Sequence, residues 1–174
     1  MIDSKAKYRE YIKYEYKLYF KKKHVIGFLI PTVKNKIWSY QKTLRKCELF
    51  FNTNKKIRYL FLKIRLNKKG ISLNFDIGLN CFDKGLHIYH IGPVIVNPKS
   101  HIGENCTIIG TCCIGGKWGS GGPTIGKNCE LGINSSVIGE IVIGDNTYVG
   151  AGAVVTKSFT MGNCKLVGVP AHTI

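Results

Sequence analysis

The sequence predicts a mainly β protein, a solenoid of short strands preceded by an N-terminal helical segment. Two observations predict this. An aliphatic residue recurs at every sixth position in the second half of the chain, and the charge changes abruptly near Gly70. Residues 1–70 carry 20 basic and 4 acidic side chains, whereas residues 71–174 carry 6 of each, so the first part holds the whole net charge of +16. We therefore divide the chain into a basic helical segment, residues 1–70, and a β domain, residues 71–174.

The basic segment is predicted to form two or three helices. Apolar and aromatic side chains recur there three or four positions apart with lysines between them, as in an amphipathic helix. The expected helices cover residues 4–23, 32–51 after the stop at Pro31, and 54–69 after the capping residues Asn52 to Asn54. The longest apolar run, Val25 to Ile30, is well short of the ~18 residues of a membrane span. The polar N-terminus and the odd number of cysteines, 7, favour a cytoplasmic protein with reduced thiols.

A six-residue repeat predicts the β domain. A period of six fits neither an α-helix nor a hairpin meander, but it suits short strands joined by tight turns and stacked as coils. Cys106, Cys112 and Cys129 occupy the small-residue position of the repeat, so we expect them to fill the core and expect no metal site. The aliphatic positions are Val96, Ile102, Ile108, Ile114, Ile125, Leu131, Val137, Ile143, Val149 and Val155.

The repeat is interrupted between Ile114 and Ile125. The stretch there, GGKWGSGGPT, is too rich in glycine for a regular coil and predicts a loop extruded from the solenoid. An inert insertion is one interpretation. We favour the other, in which Trp118 covers a ligand, because loops on rigid scaffolds often carry binding sites.

His90 stands one six-residue step before Val96, where the repeat predicts a core residue. A neutral imidazole, with a pKa of about 6.5, is suited to act as a general base at neutral pH. A hydrogen-bonded core histidine is the alternative that periodicity alone favours.

Four stretches of the β domain match one known family: GLHIYHIGPVIVNPKSHIGENCTI (85–108), IGG (114–116), IGDNTYVGAGAVVTKS (143–158) and GVPA (168–171). They resemble the hexapeptide-repeat acyltransferases of the serine acetyltransferase type, together with the relatives that acetylate sugars of surface polysaccharides. The resemblance implies a left-handed parallel β-helix, an exception to the usual right-handed crossover. It also implies acetyl-CoA as acyl donor and a homotrimer with active sites between subunits.

The resemblance also assigns roles to residues. His90 is the expected catalytic base and Asp76 its orienting partner, with Asp83 as the alternative because Asp76 lies one residue nearer than in the family. Backbone contacts to coenzyme A are expected at Gly115, Gly116, Ile133, Gly150 and Ala151, with Lys157 and Pro170 near its nucleotide.

The acceptor stays open between serine and a sugar hydroxyl. The long match around His90 favours serine. Tyr89, however, replaces an Asp of the family, and the loop lacks the Arg-His pair that usually precedes its Pro. Tyr89 and Trp118 suit the stacking and neutral hydrogen bonds of a sugar. The alternative from another class is a non-catalytic trimeric scaffold that binds an anionic glycan or protein.

The basic segment has two interpretations. It packs on the solenoid as a helical cap with solvated lysines, or it attracts an anionic membrane surface or a lipid-linked glycan from the cytoplasmic side. Nucleic acid is not expected, because the sequence has no recognised nucleic-acid-binding motif.

Overall fold

A computed structural model describes residues 1–20 and 32–174 and contains both predicted parts. The described helices are α1 (Lys5–Tyr19), α2 (Val33–Asn52) and α3 (Lys56–Leu73). The strands that follow are β1 (Phe75–Ile77), β2 (His87–Ile88), β3 (Val94–Val96), β4 (His101–Ile102), β5 (Thr107–Ile108), β6 (Cys112–Gly115), β7 (Thr124–Ile125), β8 (Glu130–Leu131), β9 (Ser135–Ile138), β10 (Val142–Ile143), β11 (Tyr148–Val149), β12 (Val154–Val155), β13 (Lys165–Val167) and β14 (His172–Thr173).

The strands form a parallel β-solenoid of about five turns. The first sheet has the order β1-β3-β6-β9-β12, the second β10-β7-β4 and the third β14-β13-β11-β8-β5-β2. Every strand pairing within the sheets is parallel except that of β13 with β14. The chain visits the three sheets in turn, and each visit places one repeat residue inside.

The core confirms the predicted repeat. All ten aliphatic positions of the repeat are buried, and none is more than 3% exposed. Cys106, Cys112 and Cys129 are buried beside them as free thiols, as expected of small core residues. The hydrophobic interior therefore runs as one column through the stacked coils.

One row of turns is joined by an asparagine ladder, Asn105, Asn128, Asn146 and Asn163. All four residues have a positive φ, which asparagine tolerates better than other non-glycine residues. Each side-chain amide donates to the side-chain carbonyl of the next, at 2.9, 3.0 and 3.0 Å. The ladder extends to the helices, because the Tyr14 hydroxyl donates to Asn105 Oδ1 at 2.8 Å.

The helix boundaries follow the predictions except at two ends. Ser4 caps α1, but this helix ends at Tyr19, with Phe20 extended, and not at residue 23 as predicted. The run from Val25 to Ile30 and Pro31 lie outside the described residues.

Helix α3 continues past residue 69 to Leu73 and ends there because Asn74 adopts a left-handed conformation, with its N–H donating to the carbonyl oxygens of Gly70 and Ile71. Gly70 fits inside the helix because a Cβ atom there would lie 2.6 Å from the Phe75 carbonyl oxygen. No helix in the described residues is long and apolar enough to span a membrane.

A buried charge cluster, Glu15, Gln41, Arg45 and Glu48, joins α1 and α2 to the first coil. The Arg45 guanidinium donates to Glu15 at 2.7 Å and to Glu48 at 3.0 Å. It also donates to the carbonyl oxygens of Phe82 and Asp83, at 2.8 and 2.7 Å. Burial raises the pKa of Glu48 although Arg45 opposes the shift. The lysine pattern did not predict this cluster.

Candidate active site

His90 lies on an exposed turn, the histidine corner, formed by residues 89–93 between β2 and β3. Ile88 is the residue that pairs with Ile108 in the core, and Val94 pairs with Cys112. The equivalent corner of the next coil, residues 109–111, is two residues shorter. The prediction that His90 occupies a core position of the repeat is therefore wrong. The two extra residues carry its imidazole to the surface, where it can meet a substrate.

A row of rings supports the histidine corner from the helical side. Tyr19 packs edge-on against His87 at 4.8 Å between ring centroids, His87 lies 4.3 Å from Tyr89, and Tyr89 lies 6.4 Å from His90. Burial, and then the charge of Lys34, lower the pKa of His87. Both effects favour the neutral form of the His87 imidazole.

A cavity of about 440 Å³ opens beside this row. The rings of Tyr19, His87 and Tyr89 line it, together with the side chain of Lys34. It offers aromatic surface and one positive charge next to the histidine corner.

Asp76 lies on the neighbouring strand but does not contact His90 through its carboxylate. Backbone bonds from Gly92 to Leu73, at 3.3 Å, and from Val94 to Asn74, at 3.0 Å, join the end of the corner to the segment before β1. Asp76 is exposed and pairs in register with Ile95. In the described residues, no hydrogen bond or ion pair joins Asp76 to His90.

Asp83, the alternative partner, is engaged elsewhere. Its carboxylate lies 3.6 Å from His101 Nε2 and 3.9 Å from the amino nitrogen of Met1. Its backbone N–H bonds to Ile102, beside the second sheet. This position favours Asp76 over Asp83 as the partner of His90.

Below His90, the corners of successive coils stack in a column, the corner column. Backbone bonds from Tyr89 to Ile108, from Ile109 to Leu131 and from Gly132 to Val149 set the register, at 2.9, 3.0 and 2.7 Å. The register stacks the third-sheet corners in one line. The residues that follow His90 down this corner column are Gly110, Ile133 and Ala151.

Gly110 is a site residue that the sequence analysis missed. A Cβ atom there would lie 3.3 Å from Ile133 Cδ1 and 3.8 Å from the Cβ of His90. Its position in the sequence could have indicated it: Gly110 stands two places after Ile108, whereas the other glycines of the repeat directly follow the aliphatic residue. The structure also explains the glycine at position 150, because a Cβ atom at Gly150 would lie 3.0 Å from Val167 Cγ1.

The predicted loop leaves the solenoid between β6 and β7, as expected. Gly116 must be small, since a Cβ atom would lie 2.5 Å from the carbonyl oxygen of Gly121 as the loop folds back. The Gly121 N–H donates to Glu140 at 3.3 Å, and Ser120 closes a turn on Lys117 at 3.0 Å. Trp118 at the tip is fully exposed.

The predicted coenzyme A residues form two groups within one chain. Ile133, Gly150 and Ala151 belong to the corner column, whereas Gly115 and Gly116 lie at the other end of β6. Six residues of extended chain between Gly110 and Gly116 correspond to roughly 20 Å. One chain does not bring these groups together.

The last two predicted contacts lie lower on the solenoid. Lys157 Nζ lies 5.5 Å from the centre of the Phe159 ring. Pro170 is exposed in the turn between β13 and β14. This turn begins at Gly168, whose carbonyl accepts from Val154 N at 3.0 Å. In the described part of the chain no three His, Cys, Asp or Glu side chains are grouped to hold a metal ion.

Comparison with known proteins agrees with this architecture. A family model described as bacterial transferase hexapeptide (six repeats) matches residues 122–157. The serine acetyltransferase of Synechococcus elongatus is 32% identical over 94 residues, which cover 52% of this chain and 38% of that protein. The chain thus spans well under two thirds of that relative.

Solved structures share the fold over almost the whole chain. The serine acetyltransferase of Brucella abortus strain S19 has a TM-score of 0.79 at 22% identity, covering 98% of this chain and 70% of that one. A serine acetyltransferase in complex with CoA has a TM-score of 0.75 at 18% identity, and the match likewise covers 98% of this chain and 70% of that one. The matches confirm the predicted resemblance to hexapeptide-repeat acyltransferases of the serine acetyltransferase type, in sequence over 94 residues and in fold over 98% of the chain.

Proposed function

We propose that the protein is an acetyl-CoA-dependent O-acetyltransferase in which His90 is the catalytic base. The observation that carries this proposal is the extended histidine corner, which presents one exposed imidazole at the head of the corner column. The named relatives, all acetyltransferases of this fold, support it. They do not favour a non-catalytic scaffold.

The reaction is a direct transfer. His90 accepts the proton of the acceptor hydroxyl as its oxygen attacks the thioester carbonyl carbon. The carbon–sulfur bond then breaks, and the imidazolium returns the proton to the departing thiolate. Asp76 is the proposed partner that stabilises the imidazolium, which requires its carboxylate to rotate towards the corner when substrate binds.

Acetyl-CoA is the proposed donor, and its site is built between subunits. Ile133, Gly150 and Ala151 on one chain and Gly115 and Gly116 on the next would contact the pantetheine arm through backbone groups, with Lys157 and Pro170 near the nucleotide. The separation of the two groups within one chain supports a site completed by a second copy. A solved relative in complex with CoA supports the donor.

A homotrimer is the proposed assembly. Ile91, Ile95 and Ile133, on or next to the corner column, are 45–49% exposed in the single chain. A neighbouring subunit would remove these side chains from water and bring its loop towards the column. Trp118, fully exposed on that loop, would then approach the acceptor bound near Tyr89.

Serine is the first proposed acceptor, because the named relatives are serine acetyltransferases. A sugar hydroxyl of a surface polysaccharide is the second. It is favoured by the cavity beside His87 and Tyr89, since the exposed Tyr89 ring can stack on a sugar. The seven free thiols support a cytoplasmic setting.

A thiol-release assay with acetyl-CoA tests the function. We expect His90→Ala to lower kcat about a hundredfold to ten-thousandfold, because the attacking hydroxyl loses its base. The matched control is His101→Ala, an exposed histidine outside the corner column that should leave turnover unchanged. Turnover with L-serine identifies the first acceptor, and turnover only with sugars or nucleotide sugars identifies the second. Equal turnover in wild type and His90→Ala would refute the base assignment.

A further inference from the structure

Helix α3 has two apolar faces, and the folded chain covers only one. Leu66 and Leu73 are buried against the rest of the molecule, at 3% exposure each. The opposite face carries five large apolar side chains that are 50–79% exposed. A surface helix normally has one apolar stripe, with polar residues opposite. The members of this outer face are Ile57, Leu60, Phe61, Ile64 and Ile71.

Basic residues flank the outer face and no acidic residue lies near it on the helix. Helix α3 contains six Lys and Arg and no Asp or Glu. Arg58 and Arg65 are exposed on one side of the apolar stripe, and Lys56 is exposed on the other. Lys68, four residues after Ile64, is exposed within the stripe, and its long side chain can bring its charge to the headgroup level. An apolar stripe bordered by cations is the pattern of a helix that lies in the interface of an anionic membrane.

Not every basic residue of α3 is available to a partner, and Lys69 is the example. Its ammonium donates to the Ser39 carbonyl oxygen at 2.9 Å and to Thr43 Oγ1 at 3.1 Å. Burial lowers its pKa to about 8. Lys69 therefore belongs to the α2–α3 contact, and the charges available to a partner are those that border the stripe.

Charge also decides between the possible occupants of this face. A second copy packed face to face would set the exposed cations Lys56, Arg58, Arg65 and Lys68 against the same four, with no acidic side chain on either α3 to offset them. An anionic lipid surface meets the apolar stripe with acyl chains and the flanking cations with phosphate groups. An anionic membrane therefore suits both the apolar stripe and the cations beside it.

We propose that the outer face of α3 docks the protein on anionic lipid, with Phe61 and its apolar neighbours inserted below the headgroups. This inference does not rest on the catalytic proposal, because none of the residues assigned to acetyl transfer is on α3. Of the outer face, only Ile71, near the end of the helix, lines a cavity together with Asp76 and Ile95. It also explains an apolar face that the helical packing leaves in water.

Vesicle co-sedimentation tests the proposal. Wild type should bind vesicles of phosphatidylcholine mixed with phosphatidylglycerol and should not bind phosphatidylcholine alone. The double substitution Phe61→Gln and Ile64→Gln should weaken binding at least about tenfold, because it removes inserted apolar surface. Both side chains are exposed, so folding should be preserved, which circular dichroism checks.

A charge variant and its matched control complete the test. Arg58→Gln with Arg65→Gln should weaken binding about fivefold for each charge removed. Lys5→Gln with Lys13→Gln removes the same charge from exposed positions of α1 and should bind like wild type. His90→Ala should also bind like wild type, even if it loses all turnover.

Three results would overturn the inference. The first is an absence of binding to the anionic vesicles, and the second is equal binding by wild type and the Phe61, Ile64 double variant. The third is that neither protein binds vesicles and that the double variant has a lower molar mass than wild type in light scattering. That result would assign the face to a second copy of the chain.

Discussion

The Tyr19 hydroxyl connects the helical segment to the histidine corner. It accepts from the backbone N–H of Ile88 at 2.9 Å and donates to Gln41 Oε1 at 2.8 Å. Burial raises the pKa of this hydroxyl, which keeps it neutral and able to donate. The strand that leads to His90 is thus held by a hydrogen bond that comes from α1.

Removal of this hydroxyl should be costly. We expect Tyr19→Phe to lower the free energy of unfolding by about 1–3 kcal/mol, because the ring still packs but Ile88 and Gln41 each lose a buried partner. Tyr14→Phe is the control, since its hydroxyl donates to Asn105 at an exposed site and should change stability by less than about 0.5 kcal/mol. Urea denaturation measures both, and equal losses would contradict the role given to Tyr19.

At the scale of the elements, the asparagine ladder combines two stabilising features in each turn. Its backbone has a positive φ, and its side chain both donates and accepts between coils. Asn128 lies within the ladder and has both neighbours. It therefore allows the contribution of the backbone to be separated from that of the side chain.

Two substitutions at Asn128 separate these contributions. Asn128→Gly keeps the positive φ and removes the side-chain bonds, whereas Asn128→Ala removes the bonds and adds strain. We expect Ala to be less stable than Gly by about 1–2 kcal/mol, the cost of a left-handed conformation at a residue with a Cβ atom. Thermal denaturation measures the order. If Gly were the less stable variant, the positive φ would contribute nothing to these turns.

The sequence predicted the elements where the pattern is local. The repeat residues from Val96 to Val155 were found because each one meets its neighbours through the same six-residue step. His90 was misplaced because an insertion of two residues in one corner leaves no mark on the aliphatic pattern. Gly110 was missed for a related reason, since its tight contact is with Ile133 of the next coil, 3.3 Å from a Cβ atom placed at Gly110, and not with its own turn.

The helical segment was harder to predict, because its decisive contacts are distant in sequence. Glu15, Arg45 and Glu48 look like solvated charges in an amphipathic helix. Their burial depends on the carbonyl groups of the first coil, which lie 37 and 38 residues beyond Arg45. Likewise, the pattern of α3 shows two apolar faces but does not say which one α2 covers.

Over the whole molecule, the buried charge cluster makes the helical segment the end cap of the solenoid. A solenoid is stabilised mainly by contacts between adjacent coils, so its terminal coil needs a partner. Arg45 supplies one by bonding to Phe82 and Asp83, while Gln41 donates to the Leu86 carbonyl oxygen at 2.8 Å. The helices and the coil that carries His90 should therefore unfold as one unit.

Replacing Arg45 tests this coupling. Arg45→Met leaves two buried carboxylates unpaired and should lower the free energy of unfolding by about 3–5 kcal/mol, whereas the exposed neighbour Lys46→Met should change it by less than about 0.5 kcal/mol. Hydrogen exchange measured by mass spectrometry locates the loss. We expect faster exchange in α1, α2 and the first coil, residues 75–96, with the coils around β9 and β11 still protected, because disturbance at one end of a solenoid decays along its length. Faster exchange confined to the helices would mean that the first coil remains folded without them.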